Sequence, residues 1–202
     1  MLECVQGEGG VIKLDEDFVR KTAEFAREND ILLIVDEVQT GNGRCGAFYS
    51  YQRFGIQPDL VSTAKGIGGG LPLGAALLGE KVENVLGFGD HGSTFGGNPV
   101  CCAGAVSILE RMDDAFLAEV NEKSDLIFRT LQNAKGIRSV SGLGLMVGIE
   151  TEKNAKDVVA ACMERGVLCL TAKTKVRLLP ALNIPTEVLK EALSVIVSVC
   201  AE

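Results

Sequence analysis

The 202-residue sequence has one histidine, no pair of cysteines spaced C-x-x-C, no run of basic residues and no apolar stretch longer than a strand. Each absence removes a class of function. Without a C-x-x-C pair, the seven scattered cysteines do not outline a metal cluster. Even the adjacent Cys101 and Cys102 read as small residues for burial. An odd number of cysteines also argues against a secreted disulfide scaffold. The opening Met1-Leu2-Glu3-Cys4 has no basic region followed by an apolar stretch, so no signal peptide is expected and the expected compartment is the cytoplasm. The longest apolar runs, such as Ile31 to Val35 and Leu73 to Leu78, are strand-sized, so no membrane association is expected. With 20 basic against 27 acidic residues, a formal charge of -7 and no basic helical face, nucleic acid is not an expected partner.

What remains is an ordinary globular composition, 47% apolar and 23% charged, with glycine as the outlier at 24 residues. Many of the glycines fall between residues 66 and 104, where they punctuate loops of the kind that approach a ligand by their backbone. The spacing of Phe18, Val19, Thr22, Ala23, Phe25 and Ala26 predicts a helix over Asp15 to Glu28. Ile31 to Val35 and Leu60 to Ala64 read as strands of a sheet covered on both faces, with Leu73 to Leu78 as a third. A helix follows from Pro99 or Val100 to about Met112. Beyond it the pattern changes. A helix over Asp114 to Gln132 is followed by strands around Ile137 to Ser141 and Leu145 to Glu150. A helix over Ala155 to Glu164 leads to short strands at Val167 to Leu170 and Val176 to Leu179. A last helix reaches about Val199, with Thr186 as its cap. The expected organisation is an α/β domain with a mostly parallel sheet over 1–112 and a small α+β domain over 113–202.

Two charged residues end two apolar strands: Asp36 after Ile31 to Val35, and Lys65 after Leu60 to Ala64. The C-terminal strand ends of an open parallel sheet line its ligand crevice. An acid and an amine delivered there from different strands suit a pyridoxal cofactor: the amine forms a Schiff base and the carboxylate keeps the pyridine nitrogen protonated. The plainer alternative is that Asp36 caps a turn and Lys65 faces solvent, and on topology alone the two weigh equally.

The wider motif pattern resembles the class III (fold type I) pyridoxal-phosphate aminotransferases, especially their acetylornithine/ornithine members. Glu3-Cys4-Val5-Gln6-Gly7-Glu8-Gly9-Gly10 is similar to the family's E-P-x-Q-G-E-G-G segment, with Cys4 in place of the proline. Asp36-Glu37-Val38-Gln39-Thr40-Gly41 matches its D-E-V-Q-T-G strand end. Ser62-Thr63-Ala64-Lys65-Gly66 with Leu71-Pro72-Leu73-Gly74-Ala75 matches the cofactor-lysine region, and Gly92 to Pro99 matches a threonine-bearing loop. Val176-Arg177-Leu178 resembles the segment that grips a substrate carboxylate. The matches follow family order and span nearly the whole chain.

The resemblance implies a partial fold type I large domain followed by the family's small C-terminal domain, with pyridoxal 5'-phosphate as cofactor. It implies Lys65 as the cofactor-binding and catalytic lysine, and Asp36, Gln39 and Thr94 as further cofactor contacts. Asp36 would pair with the pyridinium nitrogen, Gln39 would bond near the phenolic oxygen, and Thr94 would reach the phosphate across a dimer interface. Arg177 is implied as the partner of the substrate's α-carboxylate. Glu8 is implied as a carboxylate that pairs with that arginine when the substrate presents an ω-amine. His91 beside the threonine loop has no implied catalytic role. The expected partners are amino-acid and 2-oxo-acid substrates and further copies of the chain in a homodimer or higher homo-oligomer. Family members are roughly twice as long, and the segment ahead of the Glu3 motif brings the main phosphate turn and a ring-stacking aromatic. The expectation is therefore that these residues alone do not suffice for turnover. The alternatives are a fold-retaining polypeptide without catalysis and a different class III activity such as one on 4-aminobutyrate.

Overall fold

The computed structural model describes residues 1–202, which divide into two compact units. In chain order the elements are β1 (Val5–Gln6), β2 (Ile12–Lys13), α1 (Glu16–Glu28), β3 (Ile34–Asp36), α2 (Tyr51–Phe54), β4 (Leu60–Thr63), a 3-10 turn (Lys65–Gly68), β5 (Ala75–Leu78) and α3 (Pro99–Leu109). They continue as α4 (Asp114–Leu131), β6 (Ile137–Leu143), β7 (Met146–Thr151), α5 (Ala155–Glu164), β8 (Leu170–Ala172), β9 (Lys175–Leu178) and α6 (Thr186–Ala201).

The first unit comprises Met1–Cys4, Leu14–Gly43 and Ala47–Phe116. Its sheet runs β3-β4-β5. β3 and β4 are parallel, and Leu2 adds a further parallel bridge to Val35 on the free edge of β3. β5 returns antiparallel to β4. The connection from Ala64 to Gly74 holds a 3-10 turn and no crossover helix, and the chain returns directly beside β4. β3 also starts later than the apolar run suggests. The Leu33 N–H donates to the Asp59 carboxylate at 2.8 Å instead of entering a ladder, and Ile31 and Leu32 lie in solvent. α1 is initiated by Asp15, whose carboxylate accepts from the Phe18 N–H at 2.8 Å, a cap of about 1 kcal/mol. It buries Val19 and Ala26 but leaves Phe18 and Phe25 exposed. Asn98 caps α3 in the same way through Val100 N and Cys101 N, with Pro99 in the first turn.

The second unit comprises Val5–Lys13, Arg44–Gly46 and Leu117–Glu202. It therefore draws in two short pieces from a region that reads, by sequence order, as part of the first domain. Its sheet is antiparallel in the order β6-β7-β9-β8. β7 is buried along nearly its whole length, with apolar residues facing both ways. Val158 and Cys162 of α5 and Leu189, Leu193, Ile196 and Val199 of α6 form much of the core. Val5 and Val11 of the β1–β2 hairpin pack with Cys45, Met146 and Ala172 in a cluster of their own. α6 begins without the cap expected of Thr186: the N-cap position is Pro185, and no side chain accepts from the first turn. Thr186 is already helical, so its hydroxyl is one position too late to cap. No helix of the chain is long and apolar enough to cross a membrane.

Candidate active site

Asp36 ends β3 and Lys65 follows β4, so the two leave the C-terminal ends of neighbouring parallel strands. Asp36 pairs in register with Ser62, and Lys65 follows three residues later, just past the end of β4 at the start of the 3-10 turn. Asp36 is half-buried, and its Oδ1 accepts from the Val38 N–H at 2.9 Å. That bond fixes the carboxylate at the strand end. Gln39, also half-buried, lies in the turn that follows.

Lys65 is exposed and holds a left-handed backbone, φ +50°. For a residue with a side chain this is an unfavourable conformation that persists where the surroundings fix it. The fixing residue is Asn42, itself at φ +56°. Its buried Nδ2 donates to Thr63 Oγ1 and to the Ala64 carbonyl, both at 3.2 Å, pinning the chain immediately before the lysine. Gly66 keeps this clamp possible, because a Cβ there would lie 3.3 Å from the Asn42 Cβ.

Glu37 is the functional residue that sequence reasoning left without a role. It is fully buried and gathers donors from the whole following loop. Ser50 Oγ donates to it at 2.8 Å, the Tyr51 N–H at 2.9 Å, and Thr40 Oγ1 to its second oxygen. Gly41 completes the turn, since a Cβ would stand 2.8 Å from the Glu37 carbonyl and 3.0 Å from the Tyr49 ring. The loop that starts at Asp36 and carries Gln39 is thus tied to a buried carboxylate. The signal available in the sequence was an acidic residue directly after an apolar strand, where an ordinary surface glutamate is out of place.

Thr94 and His91 both lie in the exposed loop before α3, among Gly92, Ser93, Gly96 and Gly97. Gly97, at φ +68°, opens that loop's backbone.

In the second unit, Arg177 on β9 and Glu8 at the tip of the β1–β2 hairpin meet across 169 residues of sequence, Nη1 donating to Oε1 at 2.8 Å. The arginine side chain is 12% exposed and the glutamate 77%, so the pair joins a nearly buried cation to an exposed carboxylate. Arg177 Nε is buried with no hydrogen-bond partner. The same side chain borders an apolar cavity of about 260 Å³, lined among others by Leu170, Leu178, Leu193 and Ile196. Arg177 therefore has one apolar flank and one unused N–H. Arg44, largely buried, donates through Nη1 to the Pro180 carbonyl at 2.6 Å and to the Leu145 carbonyl at 3.1 Å, holding the end of β9 to β7. Burial lowers its pKa.

Comparison with known proteins supplies the family. The model of the class-III aminotransferases matches residues 1–200. The chain belongs to that family. It is 49% identical to an acetylornithine aminotransferase of Haemophilus ducreyi over 204 residues, covering 100% of this chain and 52% of that protein. It is 45% identical to the acetylornithine aminotransferase of Methanothermobacter thermautotrophicus over 202 residues, again covering 52% of the relative. Among solved structures, N-acetylornithine aminotransferase from Stenotrophomonas maltophilia superposes with a TM-score of 0.87 at 32% identity, covering 100% of this chain and 55% of that one. Ornithine aminotransferase from Plasmodium yoelii gives 0.90 at 30%, covering 98% and 55%. The chain thus spans about half the length of the curated relatives it matches. Its fold is part of the fold type I aminotransferase fold.

Family members depend on pyridoxal 5'-phosphate, and the residues present fit that group. The clamp on Ala64 leaves the Lys65 amine in the open. The half-buried Asp36 carboxylate on the adjacent strand end suits a protonated ring nitrogen, and the glycine-rich loop offers the Ser93 and Thr94 hydroxyls to an anion.

Proposed function

We propose that this protein serves in transfer of the ω-amino group of N-acetylornithine or ornithine to 2-oxoglutarate. The observation that carries the reading is the pairing of Arg177, a nearly buried guanidinium, with the exposed and displaceable Glu8. A donor with one carboxylate leaves one site arginine without a substrate anion, and an acceptor with two carboxylates needs that second cation. An arginine that can be covered or uncovered by a glutamate serves both substrates in one site. When bound, the cofactor supplies an electron sink for the carbon that loses its proton. In this reading Lys65 would hold the cofactor, and its Nζ would carry the proton to and from the substrate's ω-carbon. Asp36 holds the proton on the ring nitrogen by a charge-assisted hydrogen bond. Gln39 would bond near the ring's phenolic oxygen, and Thr94 would donate to the phosphate across a dimer interface.

The 202 residues alone are proposed to bind cofactor loosely and not to complete turnover. Nothing in them besides the exposed loop before α3 anchors a dianionic phosphate, and small misplacement of the reacting carbon forfeits much of the proximity advantage. The test is the half-reaction. N-acetylornithine or ornithine is added to the cofactor-loaded chain, and the visible absorbance of the lysine-bound cofactor is followed. No saturable conversion is expected. Rapid conversion abolished by Lys65→Ala and weakened by Arg177→Ala would overturn the claim of insufficiency while supporting the site. In a polypeptide that does turn over, Lys65→Ala is expected to remove the absorbance band and to lower the rate by orders of magnitude. Unchanged turnover there refutes the assignment of Lys65.

A further inference from the structure

The loop that carries Glu8 is held at its base by three residues with no role so far: Ser141, Gly148 and Lys175. Ser141 Oγ donates to the Val11 carbonyl at 2.8 Å, and Lys175 Nζ donates to Ser141 Oγ at 2.8 Å. Val11 is fully buried and has φ +53°, which a β-branched residue adopts only when its surroundings impose it. Gly148 is the socket. A Cβ on it would lie 2.8 Å from the Val11 Cβ, 3.2 Å from Ser141 Oγ and 3.3 Å from Lys175 Cδ, so the three converge on one missing side chain. Lys175 and Arg177 are two residues apart on β9 and so face the same side of the sheet. That one face grips the hairpin loop twice: at its tip through Glu8 to Arg177, and at its base through Val11, Ser141 and Lys175.

We propose that Ser141, Gly148 and Lys175 form a latch that positions the Glu8 loop and so sets how strongly Glu8 competes with an incoming carboxylate for Arg177. Only residues 7–11 separate β1 from β2, so fixing the Val11 carbonyl limits where Glu8 can reach. With the base latched, Glu8 leaves Arg177 by side-chain rotation and returns to the same place. With the base released, the loop spreads over other positions and the guanidinium is covered for a smaller share of the time. The three are positioning residues, and the inference rests on Arg177 being the carboxylate site.

The prediction runs against the usual effect of damaging a site: loosening the latch tightens carboxylate binding. The probe is glutarate, an unreactive five-carbon dicarboxylate, titrated into the labelled chain while the Arg177 Nε–H resonance is followed. Glu8→Gln is expected to tighten glutarate about fivefold or more, because it removes the competing anion. Ser141→Ala is expected to tighten it about two- to fivefold, the scale of one lost hydrogen bond. Ser141→Thr, which keeps the hydroxyl, stays near wild type. In the Glu8→Gln background, Ser141→Ala has no further effect, because the latch has nothing left to position. A merely structural serine would give the same change in both backgrounds, and that result overturns the proposal. So does a Ser141→Ala affinity equal to wild type while Glu8→Gln tightens, or a Ser141→Thr that behaves like alanine. If Ser141→Ala loses its folded spectrum, Ser141→Cys, which puts a weak thiol donor in place of the hydroxyl, is read with the same Glu8→Gln subtraction. An Arg177 resonance that glutarate does not move in either wild type or Glu8→Gln refutes the carboxylate role of Arg177, and the latch with it.

Discussion

Glu37 offers the most direct test of how the loop after β3 is held. Its carboxylate is fully buried and receives Thr40 Oγ1, Ser50 Oγ and the Tyr51 N–H. Replacing it by leucine keeps the bulk and removes every acceptor. Thr40 and Ser50 are themselves fully buried, so water cannot take over, and each orphaned donor costs about 1–3 kcal/mol. Relief from no longer holding a carboxylate away from water offsets part of that sum. A net loss of about 3 kcal/mol is expected, which lowers Tm by roughly 6–12 °C for a chain of this size. Glu37→Gln is expected to cost only about 1 kcal/mol. Its oxygen can still accept from Ser50 and Tyr51, while its NH2 turns to Thr40, whose hydroxyl can swing to the Asp36 carbonyl 3.4 Å away. The chain has no tryptophan, so circular dichroism during urea denaturation is the suitable assay. If leucine lies within about 1 kcal/mol of wild type, or glutamine costs as much as leucine, unmet hydrogen bonds are not what Glu37 prevents.

Two further outcomes follow from burial and exposure. The loop and helix from Val85 to Leu109 expose Val85, Leu86, Phe88, Phe95, Val100, Val106 and Leu109, an apolar surface that a further copy of the chain is expected to cover; sedimentation at micromolar concentration showing a stable, well-folded monomer would contradict this. Desolvation by burial raises the thiols of Cys4 and Cys200 to about 11 and that of Cys169 to about 12, above the ordinary 9.0. These thiols stay protonated in the folded chain while the unfolded chain ionises, so stability is expected to be full below about pH 9 and to fall between pH 9 and 12. Urea midpoints that do not drop from pH 8 to pH 10.5 refute that account.

The sequence made the strand ends legible because the chemistry there is abrupt: Asp36 and Lys65 each end an apolar stretch, and the structure puts them at the C-terminal ends of neighbouring parallel strands. Their roles are a different matter, since neither position by itself distinguishes a cofactor site from a turn. The direction of β5 was not legible, because Ala75 to Leu78 has the same apolar pattern whichever way it pairs. Nor was the late start of β3, which depends on Asp59 reaching back to Leu33, a contact between residues 26 apart. Thr186 failed as a cap for a local reason: Pro185 already takes the N-cap position. Asn42 and the Ser141–Lys175 pair were invisible because their partners are set by packing, and Asn, Ser and Lys on loops and strands look like surface residues until those partners are known.

The threading of the chain has a consequence for how the molecule can be made or divided. The second unit takes Val5–Lys13 and Arg44–Gly46 as well as everything from Leu117 onward, with the first unit's sequence running between them. Its hairpin cluster joins Val5, Val11 and Cys45 to Met146 and Ala172. During synthesis those early apolar residues emerge long before the strands that bury them, and wait for roughly 100 to 170 further residues, on the order of ten seconds at ribosomal speed. Nor does any single cut yield two intact halves. Cleavage near Phe116 strands the hairpin and the Arg44 segment on the piece that has no sheet to receive them. Within the second unit, the first hairpin is buried only once the last strands are present.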